Sequence, residues 1–311
     1  MCGCCYLPRE DDLIVMATVY LKDKKKLKGI RGMLLAVTAI NALLSVIFVY
    51  IASFTDGEML QYLFALATGL GAYVIPIIIY ARRNGVTAET AAERFYLRAC
   101  GWHEMLIALV LGAGCQFAVV MVNLPLNGLF HTASGYMPKT LGELCAAVFV
   151  IAMLPAVFEE FLFRGIVYGS LAEFNTAAAA VFSSVMFAVM HGDPYGVPGY
   201  LLLGFVLVFT VRRTGSLYTA MLVHFGNNAA ALLLAYFNDM LWYSPGVTIA
   251  VFALGLIFFL VFIALLAGVT KKSAPVRKMK TAMLLEQNFV SLPVLLCVAI
   301  TAAVEILIRV I

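Results

Sequence analysis

Long apolar runs separated by short polar stretches dominate the chain. They cover residues 33–54, 59–81, 105–123, 141–171, 177–192, 195–211, 216–237, 247–269 and 289–310. About twenty apolar residues cross a bilayer core as a helix. The pattern therefore predicts an all-α, polytopic helical membrane protein of about eight transmembrane helices, with the last run a candidate ninth. The fifth and sixth runs are short, and Gly192-Asp193-Pro194 between them is a turn signal. The fourth is long: as a helix it would extend about 46 Å, and Pro155 within it predicts a kink. Residues 86–102 mix charges with aromatics and predict an amphipathic helix lying on the membrane surface. Residues 11–30 pass from a short apolar run into a lysine cluster and read as interfacial, with lipid headgroups as partners.

Composition sharpens this picture. Hydrophobic residues make up 63% of the 311 positions and charged residues 12%, against about 45–50% and about 25% in soluble domains. Soluble globular, disordered and collagen-like classes are excluded. The net charge of +4 does not point to nucleic acid, because the basic residues sit in short connections. They cluster at Lys22 to Arg31, Arg82/Arg83 with Arg94/Arg98, Arg212/Arg213, and Lys271 to Lys280, while Asp56/Glu58, Asp193 and Asp239 mark the intervening turns. With the N-terminus in the cytosol, alternating spans bring every basic cluster to one side. The seven cysteines are odd in number, so no disulfide framework is expected. Cys2, Cys4 and Cys5 lack further ligands at zinc-finger spacing and suit free thiols or acylation. No secretory signal peptide is expected, and no internal repeat divides the chain.

Polar side chains inside lipid need a reason, and here they concentrate between residues 159 and 228. Glu159 and Glu160 adjoin each other within the fourth run. Residues four apart share a helix face, so Glu160 and Arg164 predict an ion pair that makes both tolerable in low dielectric. Glu159 lies about 100° away around the helix, without that arginine, and is the candidate general base. Of the four histidines, His103 and His131 fall at a span edge and in a loop. Phe187 and His191 share a face of the fifth run, and His224 and Asn228 share one on the seventh; Asn227, about 60° from His224, could substitute. Each feature alone has a structural explanation, such as asparagine bridging helices. Together, a glutamate, two histidines and an asparagine on three helices predict one polar site. Such a site can activate water and hold an oxyanion, the two requirements of peptide hydrolysis. Which histidine does which is open at this level.

The ordered motifs EExxxR (Glu159, Glu160, Arg164), FxxxH (Phe187, His191) and HxxxN (His224, Asn228), with Thr214-Gly215-Ser216-Leu217 before the third, resemble those of the CAAX prenyl protease and bacteriocin-processing family. That family comprises the type II CAAX endopeptidases, or glutamate intramembrane proteases. The resemblance covers about residues 141–237. It implies a membrane-embedded endopeptidase acting on a peptide or lipidated protein, in one branch releasing a tripeptide that follows a lipidated cysteine. It also implies that Glu159 and His191 activate water, that His224 and Asn228 bind the oxyanion, and that Glu160, Arg164 and Phe187 support them. The expected organisation is a cytosolic N-terminal segment (1–30), accessory helices (31–140), a catalytic core on the fourth to seventh runs (141–237) and C-terminal helices (238–311).

A zinc site of Glu159, His191 and His224 is the rival reading, since two histidines, a glutamate and a water form a valid catalytic set. The chain has no HExxH, and carboxylates to orient both imidazoles are not evident, so the expectation is a reaction without a metal cofactor. Bacteriocin maturation, a non-catalytic immunity or scaffolding role, and a transporter or proton relay are the functional alternatives.

Overall fold

The computed structural model describes residues 10–54, 58–130, 138–237, 245–269 and 279–310. The described residues form helices, and seven of these are long and apolar enough to cross a membrane, or eight if one bent pair counts as a span. In chain order the helices are α1 (Glu10–Ala52), α2 (Leu60–Arg83), α3 (Ala88–Arg94), α4 (Trp102–Phe130), α5 (Leu141–Ala172) and α6 (Thr176–Met190). They continue with α7 (Val197–Thr214), α8 (Leu217–Tyr236), α9 (Pro245–Val269), α10 (Thr281–Phe289) and α11 (Leu292–Val310). The last two form the bent pair, at 59°.

Three expectations need correction. Residues 11–30 are not wholly outside the spans: α1 is continuous, and its membrane-length part starts at Lys25. Residues 86–102 do not make one amphipathic helix, because α3 ends at Arg94 and Tyr96 takes a positive φ of 57° that breaks it. The fifth run is no full span: α6 holds 15 residues, about 22 Å against a core of about 30 Å. Cys2, Cys4, Cys5, Asp56, His131, Asp239 and residues 271–278 of the last basic cluster lie outside the described residues.

Pro155 is accommodated rather than sharply disruptive. It sits at the start of the regular stretch Leu154–Glu160, and wider π-helical turns flank that stretch at Val148–Met153 and Phe161–Tyr168. Such turns absorb the missing N–H and the ring's clash with the preceding turn. The second of them carries Arg164.

At the centre α4 packs against α7, α8 and α9, and α1 packs against α11. The α4–α8 contact is a meeting of backbones. A Cβ on Gly112 would collide with the Val223 carbonyl, and one on Gly226 with the Leu109 carbonyl. Small residues permit this approach in lipid, where dispersion replaces the hydrophobic drive. The α7–α8 connection is the Thr214-Gly215-Ser216-Leu217 segment. Gly215 closes α7 at φ 68°, the left-handed conformation that suits a residue without Cβ. The Thr214 and Thr219 hydroxyls meet at 2.7 Å across the turn. Asn175 caps α6 through Ala177 and Ala178 N–H, both 3.0 Å from its Oδ1, while its amide donates to the Met279 carbonyl at 2.8 Å. One side chain thereby starts α6 and ties the C-terminal helices to it.

Candidate active site

Five helices supply the site, α7 through Tyr200. Glu159 and Glu160 come from α5, Phe187 and His191 from α6, His224, Asn227 and Asn228 from α8, and Tyr73 from α2. The adjacent glutamates diverge into separate groups, as their angular offset on a helix requires.

Glu160 anchors the enclosed group. Its Oε1 accepts from Arg164 Nη1 at 2.7 Å and lies 2.9 Å from His224 Nδ1; all three side chains are at most 2% exposed. Arg164 Nη2 also donates to the Gly204 carbonyl at 3.1 Å, bringing in α7. A Cβ on Gly204 would press Ser184 of α6 at 2.9 Å, so this crossing too needs glycine. A carboxylate only accepts, so His224 carries its proton on Nδ1 and directs Nε2 away from Glu160.

Glu159 and His191 form the more open group, with side chains 14% and 23% exposed. His191 Nε2 lies 3.7 Å from Glu159 Oε2, and Tyr73 donates its hydroxyl to Glu159 Oε1 at 3.5 Å. His191 Nδ1 is 2.7 Å from the Phe187 carbonyl. A carbonyl can only accept, so this bond places the proton on Nδ1 and leaves the Nε2 lone pair of the neutral ring facing Glu159. Tyr200, in the first turn of α7, stacks on the imidazole with ring centres 4.1 Å apart. The short α6 explains how His191 reaches Glu159: the helix ends at Met190, and His191 caps it beside the middle of α5.

Phe187 joins the two groups. Its ring meets His191 at 4.5 Å and His224 at 5.6 Å, both edge-on, and the Arg164 guanidinium lies 4.3 Å from its centre. This cation–π contact supplements Glu160 in holding the arginine. Asn228 lies one turn beyond His224. Its Oδ1 accepts from the buried Asn227 at 3.3 Å, and among the described residues no hydrogen bond joins it to either imidazole. Glu159 Oε2, Glu160 Oε2, Arg164 Nε and Asn227 Oδ1 are buried without a hydrogen-bond partner among the described residues. A cavity of about 120 Å³ between α2 and α5 reaches Glu159, lined by Phe64, Thr68, Gly69, Tyr73 and Phe158 among others.

Among the described residues no group of three or more His, Cys, Asp and Glu side chains is placed to hold a metal ion. Of the residues in the alternative zinc set, Glu159 faces His191, and the Nδ1 of His224 faces Glu160. Tyr73 and Tyr200 escaped the sequence reading. Their only local signal is a polar hydroxyl on or beside an apolar run, and their partners come from other helices.

The fold and this site define a class: a helical membrane protein with acid–imidazole pairs enclosed among its helices. Residues 141–230 match the family model of the Rce1-like, type II CAAX prenyl endopeptidases, so the family resemblance carried by the three motifs is met over that segment. Over 88 residues the chain is 28% identical to a protein of Bacillus subtilis (strain 168) named "Putative membrane peptidase YdiL". That match covers 28% of this chain and 36% of the relative's length. No solved structure matches the chain.

Proposed function

We propose that this protein is an intramembrane endopeptidase in which Glu159 and His191 activate a water molecule for attack on a peptide carbonyl. The observation that carries this reading is the Glu159–His191 pair, two acceptors 3.7 Å apart with the imidazole tautomer set by the Phe187 carbonyl. A water about 2.8 Å from each donates one hydrogen bond to Glu159 Oε2 and one to His191 Nε2, leaving a lone pair for the substrate. As the water oxygen bonds to the carbonyl carbon, Glu159 takes its proton. That proton passes to the amine nitrogen as the C–N bond breaks, giving a carboxylic acid and an amine.

His224 faces the developing oxyanion. In its protonated form His224 donates Nδ1–H to Glu160 and Nε2–H to the negative charge; the Asn228 amide is the second donor. Arg164 holds Glu160 in place. The substrate in this reading is a peptide or lipidated protein that reaches Glu159 from the α2–α5 side, and no metal takes part. The basic ends of α1, α2 and α7 face the cytosol.

The test is purified protein incubated with prenylated and unprenylated forms of one peptide, with fragments identified by mass. Cleavage that Glu159→Gln and His224→Ala both abolish supports the mechanism. Wild-type turnover in both folded variants ends it. Activity lost to a chelator and restored by zinc replaces the proposed mechanism with a metal-dependent one. Cleavage of both peptides alike removes the lipid requirement.

A further inference from the structure

On the side of α2 that carries Arg83, a second feature stands apart from the polar cluster. A groove of about 410 Å³ runs between α1 and α2. Lys25, Lys28 and Arg83 lie at one end of it, where the two spans begin and end. Below them, Met33, Ala36 and Ile40 of α1 face Ile75 and Ile79 of α2. The two isoleucines are 52% and 44% exposed, so the apolar part opens sideways.

We propose that this groove binds one anionic glycerophospholipid, its phosphate held by Lys25, Lys28 and Arg83 and an acyl chain lying along the apolar floor. Charge is the first argument. Of the basic side chains along this part of α1, Lys26 pairs with Glu173 at 2.7 Å and Arg31 donates to the Gln287 carbonyl at 2.6 Å. Lys25, Lys28 and Arg83 are exposed and have no acidic partner among the described residues. Three cations converge on one mouth at the level where lipid phosphates sit. A neutral tail alone would not call for them.

Length is the second argument. From Lys28 to Ile40 the groove follows α1 for about 18 Å, close to one leaflet, half of the roughly 30 Å hydrocarbon core. Shape is the third. A Cβ built on Gly32 meets nothing within 4 Å, so the glycine borders open space at the junction of charged mouth and apolar floor. This site is separate from the candidate active site, and its occupancy does not depend on peptidase activity.

The experiment titrates the purified full chain, in a neutral detergent, with dioleoylphosphatidylglycerol, dioleoylphosphatidylcholine or inorganic phosphate. Native mass spectrometry counts the bound species. One phosphatidylglycerol per chain is expected, with phosphatidylcholine at least about tenfold weaker and no displacement by equimolar phosphate. Lys28→Gln with Arg83→Gln should weaken retention about thirtyfold, from the loss of two cations at the phosphate. Gly32→Phe, which projects a ring from a position where a Cβ meets nothing within 4 Å, should abolish retention while thermal stability holds. Equal binding of both lipids, indifference to the charge variant, or full competition by phosphate overturns the proposal. Should Gly32→Phe fail to fold, the charge variant on exposed side chains decides the matter alone.

Discussion

Glu159 and Glu160 are chain neighbours with opposite circumstances. Glu160 is fully enclosed and held at 2.7 and 2.9 Å by Arg164 and His224. Glu159 is partly open and touches its partners at 3.5 and 3.7 Å. Tight, enclosed charge pairs fix geometry, because removing one member strands the other in low dielectric. Loosely held acceptors leave room for a reagent. The difference teaches a division of labour within one dipeptide: one carboxylate holds the helices and orients an imidazole, and the other is kept for chemistry.

Variants can break that division. The largest effect is expected from Glu159→Gln, which should lower peptide cleavage by about 10²–10⁴-fold and leave thermal unfolding nearly unchanged. Equal losses of stability for this variant and for Arg164→Met would erase the distinction. Arg164→Met itself should cost about 3–5 kcal/mol, because Glu160 remains buried with its main partner gone; denaturant unfolding in detergent measures it. Gly226→Ala should cost about 1–3 kcal/mol by forcing α8 off α4, with activity falling in step, since His224 lies on the displaced helix. Tyr73→Phe removes one 3.5 Å hydrogen bond to Glu159 and should change turnover by less than about tenfold, as expected for a bond this long. A tyrosine effect as large as that of Glu159 would make Tyr73 a reacting group and redraw the site.

Much of the fold was legible in the chain. Membrane runs need length and apolarity, and both are local properties, so the all-helical architecture and most span positions follow directly. The Glu160–Arg164 pair was legible for the same reason: its partners are four residues apart on one helix. So was the divergence of Glu159, an angular consequence of adjacency. The rest depends on contacts between helices. No spacing tells that His224 Nδ1 takes Glu160, that Phe187 lies between two imidazoles and a guanidinium, or that Tyr73 reaches Glu159 from outside the motif-bearing segment. The reach of His191 was illegible because an apolar run does not announce how far its helix travels; α6 stops after 15 residues. The interfacial helix misread at 86–102 failed at Tyr96, whose positive φ no local residue preference predicts.

The meeting of α4 and α8 at Gly112 and Gly226 has a last consequence. The two contacts bracket His224, one at its predecessor Val223 and the other two residues beyond it. Sliding α8 by a single position would bring the Cβ of Phe225 or Asn227 to the place where Gly226 now meets the Leu109 carbonyl. The glycine pair therefore works as a registration mark: it indexes the imidazole against the rest of the bundle, with a tolerance set by bare peptide rather than by pliable side chains.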